Sequence, residues 1–197
     1  MNNQGYRRYR GRRVASADNK GSVWKDILTV VVAAAVALVV FRVVLQLAWV
    51  PSGSMENTIP TRSLLVGFRL PYLVGDPEVE RGDIVTFWGD ELDKLLVKRV
   101  IGVAGDEISF KDGYVYINGQ KSSEPYLKQQ GITTVSGNKT FRVPDGCLFM
   151  MGDNRGSSDD GRYWNDPYVE LEDVKAKVWA IVSVHKENSW RGVRAAG

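Results

Sequence analysis

From Ile27 to Phe41 the chain reads ILTVVVAAAVALVVF, fifteen residues without a charge, and VVLQLAWV follows after Arg42. No polar stripe interrupts the run, so it lacks the solvent face that a surface helix of a soluble protein keeps. Counted from Trp24 to Leu45, it supplies about the 20 residues a helix needs to cross a bilayer. Arg42 lies near one end. Its stem can carry the guanidinium to the interface and avoid most of the roughly 2.5–3.5 kcal/mol that a mid-bilayer charge costs. Trp24 and Trp49 fall at plausible interface depths. A buried core helix and a cleaved signal peptide are the alternatives. The length of the run, and the serine-bearing turn straight after it, favour an uncleaved anchor over residues 24–45.

Beyond residue 50 the period shortens to that of strands. Asp112-Gly113 separates EISFK from YVYI, a strong two-residue hairpin signal, and Asn118-Gly119 marks a second turn. Pro144-Asp145-Gly146 turns TFRV into CLFMM. Further strands are predicted at 63–69, 83–88, 95–103 and 174–184, with no amphipathic helical pattern between them. Residues 1–23 are polar, without an apolar period, and read as a disordered tail. The expected architecture is a mainly β domain over residues 50–190, carried on one N-terminal transmembrane helix.

Charge changes this picture in one respect. The formal net charge is +3, which taken alone hints at nucleic acid. Residues 1–25 hold seven basic groups and one acid, so the remaining 172 residues carry a net −3. The basic character belongs to the tail, and no nucleic-acid partner is expected. By the positive-inside rule the tail lies in the cytoplasm, which puts everything after residue 50 across the membrane. Cys147 and His185 are the only residues of their kinds, so an intrachain disulfide and a histidine-rich metal site are excluded.

Three segments carry candidate chemistry. In Leu95-Leu96-Val97-Lys98-Arg99-Val100-Ile101 two adjacent cations break an apolar strand. Alternation puts Lys98 on one face with Leu96 and Val100, and Arg99 on the other with Val97 and Ile101. If both faces are covered, a buried arginine stays charged and must be paired, whereas a buried lysine can lose its proton. An ordinary lysine is only about 0.4% neutral at about pH 8, and desolvation can make the neutral amine a competent base for a serine hydroxyl. An edge strand with both cations in solvent is the bland alternative. Pro51-Ser52-Gly53-Ser54-Met55 forms a tight turn that could present a hydroxyl and aim backbone N–H groups at an oxyanion, or could be an ordinary loop. Gly152-Asp153-Asn154-Arg155-Gly156-Ser157-Ser158-Asp159-Asp160-Gly161-Arg162 is a polar loop that does not fit EF-hand calcium spacing.

Together, Ser54 in PSGSM, Lys98 in KRVIGVAGD and the GDNR…S.D.R loop resemble, in order, the signature boxes of bacterial type I signal peptidases. The segment DGYVYINGQ…EPYL resembles that family's inserted β region, at about 107–142. The resemblance implies a Ser-Lys serine endopeptidase of the bacterial cell membrane, single-pass, that removes signal peptides from secretory preproteins. Ser54 would attack the scissile carbonyl, and Lys98 would take its proton. Ser52 would give a hydroxyl to the oxyanion, and Ser158 would hydrogen-bond the lysine amine. Asp160 and Arg162 would hold their loop as an ion pair, Asp153 and Arg155 would shape the wall of the site, and Met55 would pack beside the nucleophile. Substrates would carry small residues, Ala-x-Ala-like, before the cut. Membrane lipid is the other expected partner, and no cofactor or metal is expected.

The chain departs from the family pattern at four places. Asn57 and Ala104 stand where proline is usual, Gly161 replaces a common serine, and Thr61-Arg62-Ser63 lacks the usual Gly-Asp. None removes a reacting group, and loss of proline is expected mainly to free the unfolded chain. Three rivals make different demands. A self-cleaving repressor-type Ser-Lys peptidase needs a DNA-binding module in front. A non-catalytic assembly factor should have lost Ser54 or Lys98. A Ser-His enzyme would depend on His185.

Overall fold

The structure is a computed structural model that describes residues 20–75, 77–183 and 193–195. The chain divides into two units, residues 1–40 and residues 41–197. The first is dominated by helix α1, Lys20–Val44, whose stretch Val23–Val44 has mean hydropathy 2.8 and no buried residue. An apolar, exposed helix of 22 residues meets the length and composition needed to span a bilayer, where only helices and closed barrels satisfy the backbone. The helix begins at least four residues before Trp24, so Lys20 to Val23 belong to it and not to an unstructured tail. Residues 1–19 lie outside the described residues.

The second unit is β-rich. Its main sheet takes β1 (Leu45–Trp49), β2 (Ser63–Phe68), β3 (Ile84–Gly89), β4 (Lys94–Gly102), β9 (Cys147–Met151), β10 (Tyr168–Glu170), β11 (Val174–Ser183) and β12 (Val193–Ala195). The order is β1-β2-β11-β3-β4-β9-β10, with β12 also paired to β11. A smaller sheet takes β5 (Glu107–Lys111), β6 (Tyr114–Ile117), β7 (Gln120–Lys121) and β8 (Phe141–Arg142), in the order β7-β6-β5-β8. The short helix α2 is Leu70–Val74.

Two of the predicted turns have the expected chemistry. Asp112-Gly113 has φ 51 and 80, and Asn118-Gly119 has φ 52 and 78. Both pairs are left-handed, the type I′ geometry whose twist matches the flanking strands. The difference from expectation lies at residues 45–49. LQLAW pairs with β2 from Leu45↔Phe68 to Trp49↔Leu64, so the sheet begins at Leu45, ahead of the boundary expected at residue 50. An apolar run reads alike whether lipid or a neighbouring strand covers it, and that hid β1.

Three apolar clusters fill the interior. Val50, Met55, Ile59, Leu65 and Ile84 form one, with Val97 against it. Val85, Phe87, Val100 and Met150 form a second, with Leu96 against it. Ile101, Ile108, Val115 and Phe149 join the two sheets in a third. The strand β4 feeds all three, so its alternation decides what its two cations meet.

Candidate active site

Strand β4 is paired on both sides at Arg99, whereas Lys98 is paired by β3 alone. Val85 stands opposite Lys98 and Ile84 opposite Arg99 on β3, while Met151 flanks Arg99 from β9. Both cations are buried, Lys98 to 3% exposure, which sets aside the solvent-exposed reading. The strand's two faces handle them differently, as alternation requires. Arg99 is paired with a carboxylate. Its Nε donates to Asp153 Oδ1 at 2.9 Å, its Nη2 to Oδ2 at 2.8 Å, and its Nη1 to the Gly82 carbonyl at 2.7 Å. Its guanidinium also lies 4.0 Å from the ring centre of Tyr126.

Lys98 has no carboxylate within ion-pair distance among the described residues. Burial lowers its pKa to about 8 from an ordinary 10.5, and Lys94 and Arg162 push the same way. Asp160 and Asp159 act against this, favouring the charged amine. Desolvation wins, because the charged form loses its water and gains no close counter-ion in return.

Ser54 sits in a compact turn. Glu56 N–H donates to the Gly53 carbonyl at 3.0 Å and Ile59 N–H to Met55 O at 2.8 Å. Ser54 and Met55 are buried at its centre, with Met55 in the first apolar cluster, while Ser52 is exposed. The loop after β9 binds this turn directly. Asn154 N–H donates to Ser54 O at 3.0 Å, Asn154 Nδ2 to Gly53 O at 2.9 Å, and Asp153 N–H reaches Met55 Sδ at 3.4 Å. Thr58 Oγ1 donates to Asp153 Oδ2. Asp153 therefore links the serine turn to Arg99, the neighbour of Lys98. Thr58 was not singled out in the sequence, since a lone threonine gives no pattern.

Gly152 explains how closely these parts approach. A Cβ there would lie 2.2 Å from Ser158 Oγ and 2.5 Å from Ser54 O, so a side chain would drive the two apart. Farther along the loop, Arg162 Nε donates to Asp160 Oδ1 at 2.8 Å and its Nη2 to Oδ2 at 3.0 Å, with both side chains fully buried. Asp160 Oδ2 also accepts from Gly152 N–H at 2.9 Å, which closes the loop on itself. Arg155 is buried too, paired with Glu124 of the segment between β7 and β8.

Three of the sequence readings meet the geometry here. Ser158 Oγ is buried without a hydrogen-bond partner, so the bond to the Lys98 amine implied by the resemblance is not formed in this geometry. Gly161 is required by space: a Cβ there would lie 2.7 Å from the Pro167 carbonyl and 3.1 Å from that of Met150, leaving no room for serine. Asn57 has φ 92, which proline, held near −65°, cannot adopt. The missing proline at that site reflects a different turn, beyond any gain of chain freedom. His185 lies outside the described residues.

Comparison with known proteins identifies the family. The family model described as "Signal peptidase, peptidase S26" matches residues 23–183. Signal peptidase I of Bacillus licheniformis is 35% identical over 154 residues, covering 75% of this chain and 82% of that protein. Signal peptidase I of Bacillus caldolyticus is 34% identical over 173 residues, covering 82% and 90%. A crystal structure of a signal peptidase I from Enterococcus faecalis matches at 30% identity and TM-score 0.45, covering 52% of this chain and 97% of that one. With a family match over most of its length and relatives this similar over three quarters of it, the chain belongs to the signal peptidases, peptidase S26, and is a membrane-anchored serine endopeptidase that removes signal peptides from secretory preproteins.

Proposed function

We propose that Ser54 is the nucleophile and Lys98 its general base. The observation that carries this reading is Lys98 itself: a lysine on a central strand, 3% exposed, with its pKa at about 8. Near that pH about half the amines are neutral, against well under 1% of ordinary lysines, so the base is available without histidine. In the mechanism, neutral Lys98 takes the Ser54 proton as Oγ attacks the scissile carbonyl. The tetrahedral oxyanion is held by the backbone N–H of Ser54 and the Ser52 hydroxyl. Protonated Lys98 then returns its proton to the leaving amine, an acyl-enzyme forms on Ser54, and Lys98 activates the water that hydrolyses it. Ser158, whose buried hydroxyl has no partner in this geometry, would have to reorient to hydrogen-bond the amine. Asp153, Arg155, Asp160 and Arg162 hold the loop that frames the site, and Met55 anchors the turn beneath Ser54.

The signal peptide binds as an extended strand with small Ala-x-Ala-like residues before the cut. Supporting this, β9 pairs with β4 only from Arg99 onward, which leaves the edge from Lys94 to Lys98 unpaired by β9. The basic tail faces the cytoplasm and the peptidase domain lies outside, on the argument from the seven basic groups of residues 1–25. The anchor keeps enzyme and substrate in one membrane and so raises their effective concentration.

The test is cleavage of a preprotein with an Ala-x-Ala site by the detergent-solubilised full chain. Ser54→Ala and Lys98→Ala should each lose on the order of 10⁴-fold or more in rate, and His185→Ala should be nearly silent. Retained activity in either of the first two would overturn the dyad.

A further inference from the structure

The peptidase reading leaves one buried carboxylate, Glu124, without a task. Glu124 and Arg155 are both almost fully buried, and each is saturated with partners. Arg155 donates Nη1 to Glu124 Oε2 at 3.0 Å, Nη2 to Oε1 at 2.5 Å, and Nη1 to Thr133 Oγ1 at 2.6 Å. Tyr126 OH donates to the same carboxylate at 2.8 Å, and Gln130 Nε2 to the Glu124 carbonyl at 2.7 Å. The segment 122–134 is otherwise irregular, and it is tied to the loop after β9 at a second point, where Arg162 Nη1 donates to Thr134 O at 3.1 Å.

A buried ion pair is a poor device for stability alone, because desolvation of both charges offsets most of their attraction. It does impose one alignment on the two segments it joins. On the far side, Arg155 Nε donates to Gly152 O at 3.2 Å and its own carbonyl accepts from Arg162 Nη2 at 2.9 Å. Arg162 in turn holds Asp160, the carboxylate with the largest influence on Lys98. Three hydrogen-bonded steps thus run from Glu124 through Arg155 and Arg162 to Asp160.

We propose that Glu124 is a positioning residue for the peptidase reaction: through Arg155 it clamps segment 122–134 onto the Gly152–Arg162 loop and so keeps water away from the Lys98 amine. The inference rests on Lys98 being the base. The charged groups acting on Lys98 are Asp160, Asp159, Arg162 and Lys94. Arg155 is not among them, so Glu124 acts through packing and solvent access, not through direct charge.

The experiment is the pH profile of kcat/KM for the detergent-solubilised full chain, whose acidic limb reports the base in the free enzyme. In the wild type the limb should fall near pH 8. Glu124→Gln keeps the size but removes the charge that holds Arg155. Water then reaches the amine, its pKa rises toward 10.5, and the limb should move up by about one pH unit or more. Cleavage below the limb would drop about tenfold per unit, while the rate on the alkaline plateau stays within about threefold of wild type. A lowered plateau with an unmoved limb would overturn the proposal, since that is what a merely structural residue produces. Thr133→Val removes one acceptor of Arg155 without stranding a charge, and it should shift the limb the same way by less. That variant decides the matter if Glu124→Gln does not fold, and an unmoved limb there overturns the clamp. Lys98→Ala separates the two readings: activity retained in it removes the base assignment, whereas activity lost with an unmoved Glu124→Gln limb removes only the clamp.

Discussion

Asn57 and Ala104 both stand where the family resemblance implies proline, yet their backbones set them apart. Asn57 has φ 92 within a turn whose Thr58 bonds Asp153. Proline there would have to rebuild the segment that carries Ser54. Ala104 sits in a turn closed by Asp106 N–H to Val103 O at 3.0 Å, with Gly105 at φ 84. That is a type II turn with Ala104 at its second position, where proline presets the required angle. Ala104→Pro is expected to raise stability by about 0.4–1 kcal/mol, and Asn57→Pro to lower it by more than about 1 kcal/mol. Denaturant midpoints of the two variants check this, and equal effects would refute the distinction. The motif match located both positions, but only the backbone angles say which substitution each one tolerates.

At the scale of elements, β4 and the loop after β9 act as one assembly. The alternation around Lys98 and Arg99 was legible in the sequence, as were the hairpin turns. Whether the strand lay at an edge was not, since that depends on β3 and β9 arriving from distant parts of the chain. Asp153 shows what the arrangement costs to disturb. It accepts two bonds from Arg99 and one from Thr58, all in the interior. Asp153→Asn should destabilise by about 3–5 kcal/mol, because a buried guanidinium loses its carboxylate. Thermal unfolding measures the loss, and a change under about 1 kcal/mol would show that Arg99 does not depend on that pair.

Over the whole molecule, charge is unevenly spread along the chain. The tail and the start of the helix hold the positive excess, while the rest is net negative. Trp49 and Trp179 are 55% and 66% exposed, on strands of one sheet. Amphipathic indoles are favoured at membrane interfaces, so a role for Trp179 at a lipid surface can be tested. Trp179→Ser is expected to leave cleavage of a soluble peptide unchanged and to slow cleavage of a vesicle-inserted preprotein several-fold. Equal loss on both substrates would assign Trp179 to the fold instead.

By itself the sequence determined the features that depend on neighbours along the chain. The apolar run of the anchor, the two Asx-Gly hairpin turns, the strand periods and the three motif segments are all set by short-range pattern. The tertiary structure decided the features that depend on contacts across the chain. These are the strand at 45–49, the burial of both cations, the Arg99–Asp153 and Arg155–Glu124 pairs, and the spaces that require Gly152 and Gly161. Burial is the physical reason for the division. A lysine's charge and a glycine's necessity are fixed by what packs against them, and those partners come from positions that no local pattern can name.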